Sequence, residues 1–256
     1  MSFGRKISPD QAIQNLTKAH SDPGRGNGEA EGQGHSNAAL DSRFEARLPK
    51  FKMDEVILPE LVRQEIRILK SRINNHDLIY RDWGFGNIDP RGVNIAISFY
   101  GPPGTGKTMC AEGLASDLGK SILEINYAEI ESKYVGETPK NIVAAFKAAK
   151  QSGAIILFDE ADSILGRRLT NVTQSADHGV NVSRAVMLKQ LDEFEGIVLF
   201  ATNLAGNYDG AFVRRILHHI YVSPPDEHCR VLLWKRMLSA RVPGAESINF
   251  IDLERV

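Results

Sequence analysis

Eight residues, Gly101-Pro102-Pro103-Gly104-Thr105-Gly106-Lys107-Thr108, constrain the fold of this chain more than any other stretch. They follow an uninterrupted apolar run, Ile95 to Tyr100, and open a helical pattern that reaches about Leu118. Glycines in such a turn admit positive φ and let backbone approach a ligand closely. The turn's N–H groups, at the positive end of a helix, form an anion cradle. The spacing fits G-x-x-x-x-G-K-[ST], in which Lys107 brings charge to the β- and γ-phosphates of a nucleoside triphosphate and Thr108 offers its hydroxyl to Mg²⁺. An ordinary glycine-rich strand-to-helix turn does not account for Lys107-Thr108.

Further apolar runs at Ile122–Ile125, Ala154–Phe158, Ile197–Ala201 and His219–Val222 read as strands. Several are uninterrupted rather than alternating, as strands buried on both faces are. Helical patterns lie between them: Pro59 to Ile73, Thr138-Pro139 to about Gln151, and about Ser183 to Phe194. Strand and helix alternating at this length predict an α/β fold with a parallel sheet covered on both faces. The stretch Gly166 to Val182 reads as a long loop. A last helix follows Pro224-Pro225-Asp226, with Val231, Leu232, Leu233 and Met237 as its apolar set. Arg63, Arg67, Lys70 and Arg72 read as a solvated helix face, because Glu60 and Glu65 lie among them.

From Gly4 to Arg43 there is no Phe, Tyr or Trp, and residues 20–40 are rich in Gly, Ser, Asn, Glu and Gln. Residues 1–48 are expected to be a low-complexity tail, because they offer too little apolar surface to offset ordering entropy. Within the tail, Ser8-Pro9-Asp10-Gln11 carries a helix-start signal. The 31 Lys and Arg against 32 Asp and Glu give a net charge of −1, which disfavours a dedicated nucleic-acid coat. Two cysteines in 256 residues are too few for a disulfide scaffold or a zinc cluster, so a reducing, cytoplasmic setting is expected. No apolar run approaches membrane-spanning length.

The run Ala154 to Phe158 ends in Asp159-Glu160. Ligands in open α/β sheets bind at the carboxyl ends of the strands. Adjacent residues there point opposite ways, so two carboxylates can take different tasks. Asp159 would hold Mg²⁺ through water, and Glu160 would polarise the attacking water as general base.

Over roughly Phe51 to Leu238 the chain resembles the AAA-type (AAA+) ATPases. Gly101–Thr108 is similar to their Walker A motif, and Ile155 to Asp162, Ile-Ile-Leu-Phe-Asp-Glu-Ala-Asp, to their Walker B. The resemblance implies a P-loop NTPase three-layer sandwich with a five-stranded sheet of order 5-1-4-3-2. It implies an ATPase core over 49–223 and the beginning of a C-terminal helical lid over 224–256, expected to be incomplete because the chain stops inside an element. It makes Asn203, after the run Ile197 to Thr202, a sensor of the γ-phosphate or the lytic water. Arg214 and Arg215 resemble the arginines that reach a neighbouring subunit's γ-phosphate, and which of the two is the finger stays open. Tyr134 and Val135, in Lys133-Tyr134-Val135-Gly136-Glu137, are similar to a substrate-gripping pore loop; the other reading is that Tyr134 packs on its own domain. A second pore loop would fall within Gly166 to Val182. Adenine would meet Asp54 to Leu58, with Tyr80 to Phe85 as a second border.

The expected activity is hydrolysis of ATP with Mg²⁺ in a homo-oligomeric ring, a hexamer by analogy, coupled to remodelling, unfolding or disassembly of a protein partner. Three rivals stand beside it. A nucleotide-gated binding module would hydrolyse weakly and should lack Glu160 or a finger. A DNA-directed motor or loader would show salt-dependent DNA binding. A motor fused to a protease would need a protease motif, and no H-E-x-x-H occurs.

Overall fold

The apolar runs become the strands of one parallel sheet. In this computed structural model the described residues are 44–89, 94–130, 137–166, 175–203, 208–239, 241–242, 248 and 250. The tail up to residue 43 and the loop with Tyr134 and Val135 lie outside them. In chain order the elements are α1 (Glu60–Asn74), β1 (Ile95–Tyr100), α2 (Lys107–Asp117), β2 (Ile122–Asn126), α3 (Tyr127–Ile130), α4 (Glu137–Ser152) and β3 (Ile155–Asp159). There follow α5 (Asp162–Leu165), α6 (Ser175–Glu193), β4 (Ile197–Thr202), α7 (Gly210–Val213), β5 (His218–Tyr221) and α8 (Glu227–Met237). The strand order is β2-β3-β4-β1-β5, all parallel, which is the expected 5-1-4-3-2 read from the other edge.

Period-two alternation divides the strand residues between two cores. Ile97 and Phe99 of β1, Ile155 and Leu157 of β3, and Leu199 of β4 pack with Val62, Ile66 and Leu69 of α1 and Ala111 and Leu114 of α2. Ala96, Ile156, Phe158 and Phe200 point the other way, onto Ile142 and Phe146 of α4, Met187 and Leu191 of α6, and Phe212 of α7. Phe158 stacks on Phe200 with centroids 5.5 Å apart. Leu61 of α1 falls outside the stripe and is exposed. The basic face of that helix is solvated and ion-paired, with Arg67 to Glu60 at 2.6 Å and Lys70 to Asp117 at 2.7 Å.

One helix departs from its expected bounds. α6 begins at Ser175, so the loop expected over Gly166 to Val182 is helical from Ser175 onward. The helical pattern expected from about Ser183 therefore begins about two turns earlier, and the Ser183 hydroxyl donates back to the Gly179 carbonyl at 2.9 Å, a bond made inside a helix. On α8 only Cys229 is buried, held at a start that Asp226 caps by accepting from the Cys229 N–H at 2.8 Å. Trp234 and Met237 are exposed.

Residues 44–48, expected to belong to the tail, are instead packed: Phe44 is buried in the core, and residues 44–58 form a strap across α2. Arg47 bridges Ile122 in antiparallel fashion. Its guanidinium donates to Glu112 at 2.6 Å and also to Glu124, and the Lys50 N–H donates to Glu112 at 2.5 Å. Burial pushes the Glu112 carboxyl up, but the Arg47 and Lys50 bonds outweigh it and hold the group below its ordinary 4.5. A lowered carboxylate contributes stability above its unfolded value and loses it as pH falls through the folded value. Denaturant midpoints measured against pH should therefore fall below about pH 4.5, and Glu112→Gln should flatten that fall while lowering the neutral-pH plateau.

Candidate functional site

The glycine turn is shaped by what surrounds it. Gly101, Gly104 and Gly106 have φ of 146°, 78° and 90°. A Cβ on Gly101 would lie 2.4 Å from the Val222 carbonyl oxygen, so only glycine fits where the turn leaves β1 beside the end of β5. Thr105 Oγ1 donates to the Pro102 carbonyl at 2.9 Å and braces the turn. Gly106 then caps α2, whose first N–H groups have no partner within the helix.

Lys107 is buried, with 8% of its surface exposed. Its ammonium donates to the carbonyls of Gly101 at 3.1 Å and Pro102 at 2.8 Å and to Asn203 Oδ1 at 2.9 Å. Burial lowers its pKa, and the nearby Asp162 and Asp159 oppose that shift. A buried cation that already faces two carbonyls and an amide oxygen is matched to an anion entering the same turn.

β3 delivers Asp159 beside α2. Thr108 Oγ1 donates to Asp159 Oδ2 at 2.8 Å. A hydroxyl and a carboxylate side by side are oxygen donors of the kind Mg²⁺ takes when it keeps several waters and shares substrate phosphates. Among the described residues no three His, Cys, Asp or Glu gather into an all-protein metal cage. The donors present thus fit Mg²⁺ carried with a nucleotide, Thr108 and Asp159 being the residues that would hold it.

Glu160 stands at the strand's end, exposed, with φ of 52°, the one left-handed non-glycine residue among those described. Its N–H donates to Asp159 Oδ1 at 2.8 Å, which ties the two carboxylates' backbone together. Such a conformation costs a residue with a Cβ about 1–2 kcal/mol.

β4 delivers Asn203. Its backbone N–H donates to Asp162 Oδ1 at 2.8 Å and its Nδ2 to Asp162 Oδ2 at 3.4 Å, while Thr202 Oγ1 also donates to Asp162 Oδ1. The Ala161 N–H donates to the Ala201 carbonyl at 3.1 Å, locking the ends of β3 and β4 together. Asp162 was assigned no task from sequence. The signal available was its place three residues after Asp159, at the start of a short helix. Arg184 of α6, itself buried, clasps the other end of that helix, donating to the Ser163 carbonyl at 2.7 Å and the Ile164 carbonyl at 3.2 Å.

Arg214 and Arg215 differ in their surroundings. Arg215 donates to both Asp192 oxygens, at 2.8 and 2.7 Å, and to the Ala211 carbonyl at 3.1 Å. Arg214 is exposed, its backbone N–H donates to the Phe212 carbonyl at the end of α7, and its guanidinium makes no hydrogen bond or ion pair among the described residues.

Beside the glycine turn lies a cavity of about 250 Å³, bordered by Glu55, Val56, Ile57, Gly106, Met109 and Leu233. The strap segment Asp54 to Leu58 thus reaches the turn. Tyr80 does not. It lines a separate cavity of about 320 Å³ with Ile73, His76, Ile95 and Leu217, at the amino ends of β1 and β5. The length of β1 separates that cavity from Gly101 by roughly 20 Å, and Trp83 and Phe85 are exposed. The second border expected over Tyr80 to Phe85 is therefore corrected.

The profile of the "ATPase family associated with various cellular activities (AAA)" matches residues 97–224, half of the chain. The chain is 34% identical over 174 residues to the "Cell division cycle protein 48 homolog" of Archaeoglobus fulgidus, covering 64% of this chain and 22% of that protein. It is 34% identical over 204 residues to "Spastin" of Gallus gallus, covering 75% of this chain and 30% of that protein. It is 29% identical over 218 residues to "Cell division protein C" of Sulfolobus acidocaldarius, covering 79% and 53%. The chain therefore spans between about a fifth and about half of the length of these relatives. Among the described residues no helix is long and apolar enough to cross a membrane.

The strained backbone at Glu160 gives a physical test of the strand end. Glu160→Gly should relieve the left-handed conformation and raise the unfolding free energy by about 1 kcal/mol, read by denaturant titration. Gly101→Ala should do the reverse and abolish binding of a fluorescent nucleotide.

Proposed function

The chain belongs to the AAA family of ATPases, and on that premise we propose that it hydrolyses ATP with Mg²⁺ and couples the cycle to remodelling, unfolding or disassembly of a protein partner. The observation that carries this reading is the meeting of the Lys107 ammonium, the Thr108–Asp159 pair and the Asn203 amide at one sheet edge, beside the glycine turn. Lys107 and the turn's N–H groups bind and orient the triphosphate. When bound, Mg²⁺ supplies charge neutralisation at the β- and γ-oxygens. Glu160 polarises a water and takes its proton as that water attacks the terminal phosphorus, while the bond from that phosphorus to the bridging oxygen breaks and ADP leaves with its electron pair. Asn203, able to donate and accept at once, aligns the water or the γ-phosphate. Much of the rate enhancement then comes from fixed electrostatics and positioning, with no covalent intermediate on the chain.

The arginines divide the remaining work. Arg215 is held in a forked pair by Asp192 of α6, so it tethers α7 to that helix. Arg214, exposed and uncommitted, is the arm proposed to reach the phosphate held by a second copy. Its always-charged fork suits a γ-phosphoryl group whose charge builds in the transition state. A site completed by a neighbour through heterologous contacts requires a closed ring, proposed to be a hexamer.

The proposed organisation is a tail ahead of the strap, an ATPase core that runs from the strap at Phe44 to about 223, and the start of a lid over 224–256. The two cores, one of which includes Phe44, fall within the middle segment, and the exposed apolar residues of α8 fit a helix that begins a further layer. Tyr134 and Val135 are proposed to grip the protein substrate. Both cysteines are free and buried, in keeping with a cytoplasmic setting.

The experiment that tests the reading is ATP turnover against protein concentration. The rate per chain should rise with concentration. Arg214→Ala should remove that rise, whereas Arg215→Ala should mainly lower the thermal midpoint, by the equivalent of about 1 kcal/mol or less. Glu160→Gln should bind ATP normally and turn over ~100-fold or more slowly; an unchanged kcat would remove Glu160 from the mechanism.

A further inference from the structure

Asp162 is the hub of the polar contacts behind the sheet edge. It accepts from Thr202 Oγ1, from the Asn203 N–H at 2.8 Å and from Asn203 Nδ2 at 3.4 Å. On its far side Asn203 turns Oδ1 to the Lys107 ammonium, 2.9 Å away. The two neighbours demand the same orientation. The reversed amide would set an NH₂ against an ammonium and an oxygen against a carboxylate. Asp162 is itself held in place, because it opens α5 and buried Arg184 grips the carbonyls at the other end of that helix.

We propose that Asp162 is a positioning residue for hydrolysis, fixing the Asn203 amide with its oxygen toward the Lys107 side of the site. The proposal rests on the reading of this site as an ATPase centre. Asp162 touches neither the glycine turn nor the Thr108–Asp159 pair in any hydrogen bond among the described residues; its charge also favours the Lys107 ammonium, but its orienting contacts toward the site run through Asn203, and Asp162→Glu, which keeps the charge, separates the two effects. With both of its oxygens accepting, it presents no face to which the Asn203 NH₂ is unwelcome. An amide of the same shape would. In Asp162→Asn one oxygen can still serve Thr202 Oγ1 and the Asn203 N–H, but the other position becomes an NH₂ facing Asn203 Nδ2, donor against donor. Thr202 and the strand end keep their bonds while the sensor amide loses its orientation.

The test is a double-mutant cycle on the full 256-residue chain, with ATP and Mg²⁺, reading kcat, KM and thermal midpoint. D162N should lower kcat by about 10- to 100-fold, as small misplacements near reacting atoms do, with KM and midpoint close to wild type. N203A should be slow as well, and D162N should add no further loss in the N203A background. Independent losses that multiply in the double variant, or a D162N effect confined to KM or to the midpoint, would overturn the proposal and leave the site reading intact. N203A turning over at the wild-type rate would overturn the site reading, and the proposal with it. Should D162N fail to fold, Asp162→Glu carries the same cycle, since it keeps the charge and displaces the carboxylate by one methylene. Exchange of the Asn203 side-chain amide protons, followed by NMR, reads the orientation without turnover. It should be slowed in the wild type and faster in the Asp162 variant; equal exchange in both would count against the proposal.

Discussion

Parallel pairing of β3, β4 and β1 in one register is the constraint from which the rest of the site follows. Phe158 stands opposite Phe200, and Tyr100 opposite Thr202. The strands therefore end within about a residue of one another, and the residues at or just beyond their ends, Asp159, Asn203 and Gly101, emerge at one edge of the sheet. Parallel strands lie about 4.8 Å apart, and side chains of Asp, Asn and Lys length cover such gaps with single hydrogen bonds. A slip of one residue in β4 would turn Asn203 to the opposite face and bury a polar group in the core. The alternating sets Ile156, Phe158, Phe200 and Ile155, Leu157, Leu199 make that slip costly on both sides at once.

The polar groups at this edge are arranged so that none is stranded. A lysine as buried as Lys107 would be expensive without partners. Its three acceptors come from the turn and from the residue after β4, so the same contacts that solvate the ammonium also tie the glycine turn to the end of β4. Asp162 does for the amide what the carbonyls do for the ammonium. The result is a chain of bonds running from Pro102 through Lys107 and Asn203 to Asp162 and Thr202, crossing three segments distant in sequence.

How far the sequence reveals this depends on the kind of contact. The strands were legible to within a residue or two, because continuous apolar runs such as Ile197 to Ala201 leave little choice of secondary structure between turn signals. The glycine turn, Lys107, Thr108 and Asp159 were legible because their spacing is local. α6 was misjudged at its start, since Ser183 offers the same side chain to a cap or to the carbonyl one turn back, and only packing decides. The strap over 44–58 left no periodic signal; its hold depends on Arg47 meeting Glu112 and Glu124, which are 65 and 77 residues away. Asp162 escaped for the same reason. Its partners Thr202 and Asn203 lie on another strand, and the sequence order 159, 160, 162 says nothing of which oxygen faces β4.

The two arginines show where a single residue's environment decides between readings that sequence leaves level. Adjacent in the chain and identical in chemistry, they part company because α7 turns Arg215 back onto α6. There Asp192 offers the two oxygens a guanidinium fork takes. That pair is half-exposed and stabilises modestly, so its main consequence is geometric: it fixes the end of α7 and with it the direction in which the next side chain leaves the surface. Arg214 is left exposed, where no acid accepts its charge among the described residues. A permanent cation in that position is costless in water and gains most when an anion is brought to it. A second chain bringing its own bound triphosphate would supply the missing partner. The in-trans role proposed for Arg214 rests on that division of labour between two neighbouring residues.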